Sequence, residues 1–204
     1  MPQSKRQYQH VINTKTVALP EDIVATLKEL NKLLPGSEVQ TLLPFNKAYI
    51  VVTEKLNTAS KAGRFEHTDI MNNLELEFAH LYFQALNNFA EKGSLPRAWQ
   101  KVNQRTFSRY RPRAINVMLG ASAHINHDLL PAMRRTIKKP QEFAKDYAKV
   151  SGVLLSSAVV IADDTMTPAS FTMTLKTRGH TIYTRPAMWI INRWRTKVWK
   201  EFTD

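Results

Sequence analysis

The chain has 204 residues, 43% of them hydrophobic and 23% charged, which suits one globular domain with a substantial core and excludes a disordered or fibrous protein. It contains no cysteine, so disulfide scaffolds, thiolate metal sites and cysteine nucleophiles are excluded, and any metal must be held by His, Asp, Glu or Asn. The formal charge of +12 favours anionic partners and says nothing about the fold.

Residues 1–19 are polar and basic with scattered Val and Ile, and read as an N-terminal arm preceding one helical domain over 20–204. No apolar segment of a cleaved secretory signal is present there, which makes the cytoplasm the expected location. The longest charge-free runs, Ala114 to Ile125 and Ser151 to Ala162, fall well short of the roughly 20 residues that cross a bilayer, so no transmembrane segment is expected.

Pro20 with Glu21 and Asp22 opens a helix that Ile23, Leu27, Leu30 and Leu34 continue, and Pro35-Gly36 stops it. Pro44 opens a second, striped by Tyr49, Val52 and Leu56 up to Gly63. After His67-Thr68-Asp69, the apolar residues Leu74, Phe78, Leu81, Ala85 and Phe89 define the clearest amphipathic helix, which Gly93 ends. Of the acids in this helix, Glu77 is read as the one best placed to point inward, ahead of Glu75. Pro96 starts a short helix containing Trp99, and Arg111-Pro112 marks a break.

Residues 112–130 are apolar nearly all round and predict a central buried helix, with Gly120-Ala121-Ser122-Ala123 allowing close helix approach. Pro140 begins another core helix with Phe143, Tyr147, Val150, Leu154, Ala158 and Ile161 inward. Near 170–184, Phe171, Met173 and Leu175 alternate with threonines, consistent with either a short hairpin or an irregular loop. Pro186 is expected to start the last helix, with Ile190, Ile191, Trp194, Val198 and Phe202 inward, Arg193, Arg195, Lys197 and Lys200 around them on the outer side, and Trp189, Trp194 and Trp199 mostly in the core. The sum is an all-α fold, a single compact bundle of six or seven helices.

His124 and Asp128 stand four apart at the end of a charge-free stretch, so on a helix they share a face with Cβ atoms about 6 Å apart. This spacing serves two metal ligands, or a histidine and its orienting carboxylate. A carboxylate in that position must have a partner. Pro131 has no N–H to give the carbonyl of His127, which adds a free acceptor. Asn126 projects toward the apolar face of the same turn, and His127 is expected to be exposed and neutral. The catalytic candidates are therefore His124, Asp128, Asn126 and Glu77, and one divalent metal on His124, Asp128 and Glu77 is a further reading. A structural network pairing Asp128 with an arginine is the competing explanation. No HExxH, P-loop, dinucleotide fingerprint or nucleophile elbow is present.

The segments RFEHTDIMNNLELEFAHLYFQAL, LPRAWQKVN and LGASAHINHDLLPAM resemble an uncharacterised, mainly bacterial family of helical proteins marked by an Ala-His-Ile-Asn-any-Asp-Leu string. The likeness spans roughly residues 45 to 160. It implies a helical fold and directs attention to His124, Asn126 and Asp128, without a settled activity. Members commonly carry Asn where this chain has Ser122. The His–Asp pair is also similar to one in helical zinc hydrolases of the phospholipase C type, which use several such pairs where this chain has one.

Residues 101–150 hold eleven Lys or Arg against three acids. Arg109, Arg111 and Arg113 beside Phe107 and Tyr110, with Arg134 and Arg135 beyond the central helix, form a candidate phosphate-binding set if both ends of that helix face one side. Two functions follow from these readings. One is a small enzyme, with hydrolysis among its candidate reactions, using acid–base or metal-assisted chemistry around His124 and Asp128. The other is a basic nucleic-acid- or phosphate-binding or scaffold protein in which that pair is structural.

Overall fold

The computed structural model describes residues 10–12, 17–103, 112–166 and 176–204. Its helices are α1 (Pro20–Leu33), α2 (Leu43–Lys61), α3 (Thr68–Lys92), the short α4 (Arg97–Gln100), α5 (Arg113–Ala123), α6 (Leu129–Thr136), α7 (Pro140–Met166) and α8 (Lys176–Thr203), with a 3-10 turn at Gln40–Leu42. A π-helical turn, His124–Asp128, joins α5 to α6, so the chain runs as one helix from Arg113 to Thr136. No strand occurs among the described residues, and the fold is an all-α bundle. Among them, too, no helix is long and apolar enough to cross a membrane.

Local chemistry sets the ends of these helices. Pro20 occupies the first turn of α1, and the Asp22 carboxylate reaches back to the amides of Ala18 and Leu19 at 3.1 and 2.9 Å. α3 ends on Gly93 with φ 74°, a left-handed cap that only glycine takes without steric cost, and its N–H returns to the Phe89 carbonyl at 2.9 Å. The start of α3 is capped from another helix. Asp146 of α7, fully buried, accepts from the amides of Glu66 and His67 at 2.9 and 2.7 Å and from Lys149 at 3.0 Å. Burial pushes its carboxyl up, but the two amides and Lys149 together hold it below the usual range.

The apolar interior has two parts. One gathers Ile23, Leu27 and Leu30 of α1, Phe45 and Tyr49 of α2, Tyr82 and Leu86 of α3, and Trp99 of α4. The other gathers Leu56, Met71, Leu74, Leu129, Met133, Phe143, Val153 and Val198. Ala123 belongs to the first and Leu129 to the second, so the π-turn spans their junction. The helix 113–136 touches α2, α3, α4, α7 and α8 and is central in that sense. It is nevertheless buried on one face only, since Ile115, Asn126 and His127 meet solvent. Gly120 lets α5 approach α2 so closely that a Cβ there would strike the Phe45 ring. Gly120→Ala should therefore cost about 1–3 kcal/mol, measured by chemical denaturation, whereas Gly152→Ala, in open space, should be neutral or stabilising.

Several expectations need correction. The apolar surface of α3 is wider than the stripe expected: Leu74, Ala85 and Phe89 are buried and Phe78 and Leu81 pack against the core as expected, but Glu75, Ala79, Tyr82 and Leu86 on the adjoining side are buried too. The cause is that α3 is wedged between both parts of the core, so two of its sides are apolar and a single stripe covers only one of them. The last helix starts at Lys176, with Pro186 inside it; one lost backbone bond does not end a 28-residue helix. Residues 176–184 are thus helical, which removes the second half of the hairpin considered there, and Phe171, Met173 and Leu175 lie outside the described residues. Trp189 is 63% exposed rather than in the core, with Arg193 over its ring at 5.5 Å. Arg195, expected on the outer face of that helix, is buried.

Candidate active site

The π-turn is where the sequence is least able to continue a regular α-helix. Pro131 cannot donate to the His127 carbonyl and its ring would crowd that oxygen, and the helix widens over the preceding residues. Asn126, on the outer side, donates its amide to the Ser122 carbonyl at 3.0 Å and the Ser122 hydroxyl at 3.2 Å. Its side chain ties the turn together at the surface instead of facing the core, as had been expected.

On the inner side the turn delivers His124 and Asp128, both buried to about 3% exposure. His124 Nδ1 lies 2.8 Å from Asp128 Oδ2, and His127 Nδ1 lies 2.6 Å from Asp128 Oδ1. One buried carboxylate therefore bridges two imidazoles, the second of which is 54% exposed. His127 is in solvent as expected, and its bond to Asp128 was not expected, because neighbours one apart do not share a face of a regular α-helix. The wider turn and the short reach of both side chains bring them together.

The His124 ring is held by aromatic side chains from three helices. Phe78 stacks on it with centroids 3.5 Å apart and planes 8° apart. Tyr49 meets it edgewise at 4.9 Å and Phe45 at 5.7 Å, while Trp99 lies at 5.9 Å. Burial lowers the His124 pKa, partly opposed by Asp128, so the ring is neutral at pH 7. With Nδ1 facing the carboxylate, the neutral ring carries its proton there and leaves the Nε2 lone pair bare. Nε2 is buried and has no hydrogen-bond partner among the described residues, and the same holds for Trp99 Nε1.

The acid of α3 that lies inside is Glu75, not Glu77. Glu75 is 7% exposed, with neither carboxyl oxygen partnered among the described residues. Burial, reinforced by the charge of Glu21, raises its pKa to about 8, so it is protonated at neutral pH. Glu77 is 33% exposed and pairs with Arg135 at 3.1 Å. No group of three His, Asp or Glu placed to hold a metal ion occurs among the described residues, and Glu77, proposed as a third ligand beside His124 and Asp128, is instead paired with Arg135. Both Asp128 oxygens are already occupied by imidazole nitrogens.

Of the candidate phosphate-binding residues, the structure describes Arg113, Arg134 and Arg135. Arg113 and Arg134 are exposed at opposite ends of one helix, about 30 Å apart at 1.5 Å per residue, and Arg135 is engaged by Glu77. Arg109 and Arg111 lie outside the described residues.

Fold and site together define a helical-bundle domain built around a buried histidine–aspartate pair in a π-turn. The chain belongs to the family of unknown function DUF5995, whose model matches residues 21–204. Neither a curated protein nor a solved structure matches it.

Proposed function

We propose that this domain is a small enzyme that uses His124 as a general base, oriented by Asp128, on a small and mainly apolar substrate. The observation that carries this reading is that His124 Nε2 is buried without a hydrogen-bond partner among the described residues. A histidine kept for structure alone gains by bonding both nitrogens, and a buried acceptor left unpartnered costs about 1–3 kcal/mol. Here one nitrogen is fixed at 2.8 Å by a buried carboxylate and the other is left open, which is the arrangement of a base held in one tautomer. Burial keeps the ring neutral and able to accept a proton. Trp99 brings an N–H without a partner among the described residues into the same cage, suited to an oxygen on which negative charge develops. His127 gives Asp128 a hydrogen-bonded contact with the exposed side of the turn.

A panel of small ester, lactone, amide and enolisable carbonyl substrates, assayed with wild-type protein, His124→Gln and Asp128→Asn, tests the reading. The expected result is an activity that falls at least about a hundredfold in both variants while far-UV circular dichroism is unchanged. An activity retained by both variants would assign the pair to the structure of the bundle.

A further inference from the structure

The last helix, α8, divides into two sides. Thr184, Met188, Arg195 and Val198 face the bundle and are buried. Arg185, Trp189, Arg193, Lys197 and Lys200 are all exposed, and at 100° per residue they fall within about 120° of the helix circumference. They form a straight stripe about 22 Å long at 1.5 Å per residue. Arg193 lies over the Trp189 ring at 5.5 Å, and none of the four cations pairs with a carboxylate among the described residues. Nor is one close in sequence, since no Asp or Glu occurs from 165 to 200. The neighbouring helix adds an apolar side chain. Tyr147 of α7 donates to the Arg195 carbonyl at 2.9 Å and Ser151 donates to Asn192 Oδ1 at 3.2 Å, so the two helices run antiparallel. Leu155, one turn beyond Ser151, and Trp189, one turn before Asn192, are both exposed and emerge at the same level of this seam.

An exposed indole and leucine at one level of a seam, flanked by four cations without counter-ions, are poorly matched to water alone. They match an anionic bilayer. Trp settles at headgroup depth, with its apolar body toward the acyl chains and its N–H toward water, and each Lys or Arg near such a surface adds about a fivefold factor in affinity. We infer that this face of α8 docks onto an anionic lipid bilayer, with Trp189 and Leu155 at the headgroup boundary and Arg185, Arg193, Lys197 and Lys200 on the lipid headgroups. A nucleic acid fits the face less well. The stripe is convex and straight, as a helix laid on a plane requires, and it carries one aromatic ring, with Arg193 already over it, where single strands are held by several rings in a groove. Leu155 offers nothing to a phosphate backbone. The surface makes no use of His124, so it stands apart from the acid–base reading.

Co-sedimentation of the whole chain with vesicles of phosphatidylcholine, alone or with about 30% phosphatidylserine, at about 0.1 M salt tests this directly. The anionic vesicles should bind at least about a hundredfold more tightly than the neutral ones, with a blue shift of tryptophan emission that Trp189→Phe removes. A variant carrying Arg193→Gln, Lys197→Gln and Lys200→Gln should lose about a hundredfold in affinity. A control of equal charge, Lys92→Gln with Arg97→Gln and Lys101→Gln around α4, should lose less than a tenth as much. All six side chains are exposed, so circular dichroism should show both variants folded. Equal partition onto the two kinds of vesicle, an equal loss in the control, or full affinity in the α8 variant would each overturn the proposal. So would binding of a single-stranded DNA of about 20 nucleotides, lost in the α8 variant, by a protein that ignores the vesicles, which would give the face to a nucleic acid.

Discussion

Asp128→Ala should destabilise the domain by about 3 kcal/mol, lowering Tm by about 6–12 °C, because it strands the buried Nδ1–H of His124 and removes the acceptor that His127 shares. Asp128→Asn should cost less than half as much. An asparagine can still offer its oxygen to one imidazole and its amide to the other, so most of the hydrogen bonding survives. What it cannot do is accept from both rings. Where its NH₂ faces His124 Nδ1, that nitrogen must become the acceptor and the ring proton moves to Nε2, which disables the base. The two variants thus separate the structural from the chemical contribution of one carboxylate: scanning calorimetry reads the first, and the substrate panel the second. Equal Tm losses in both variants would mean that the negative charge itself, and not the count of acceptors, holds the turn.

Removing the Glu75 carboxyl should act in the opposite direction. Its pKa is about 8 in the folded chain against a usual 4.5, so between those values the unfolded chain releases a proton that the folded chain keeps. Stability therefore falls as pH rises through this window, by roughly 1.4 kcal/mol per pH unit, and levels off above pH 8 once the folded carboxyl also ionises. At pH 7 the cost is about 3 kcal/mol. The gain in stability from Glu75→Leu should be about 3 kcal/mol larger at pH 7 than at pH 4.5, as denaturant midpoints at each pH will show. Glu75→Gln should recover less, since a buried amide needs partners of its own. If the gain from Glu75→Leu were the same at pH 4.5 and pH 8, ionisation of Glu75 would not be its source.

Much of the bundle was legible in the amino-acid sequence because its helices announce their ends. Pro20 with Asp22, Gly93 and Pro140 mark boundaries by backbone chemistry that packing does not alter. The pairing of His124 with Asp128 was legible for a similar reason: four residues apart is close on an α-helix and stays close in the wider π-turn. Which side of α3 faces inward was not legible. A helix in contact with two core regions has two apolar sides, and no rule of spacing says which side a neighbour will cover, so Glu75 was passed over for Glu77. Arg195 was hidden by its company, since Arg193, Lys197 and Lys200 around it read as an exposed basic face. Asp146 was missed because its partners, the amides of Glu66 and His67, come from a segment 79 and 80 residues away.

The bonding state of one ring is the most direct test of the acid–base account. Two-dimensional ¹H–¹⁵N correlation spectra of histidine-labelled protein at neutral pH should show His124 as a neutral imidazole protonated at Nδ1, with Nε2 unprotonated, and Asp128→Asn should shift that proton toward Nε2. A His124 ring protonated at Nε2, or doubly protonated, in the wild-type protein at pH 7 would contradict it.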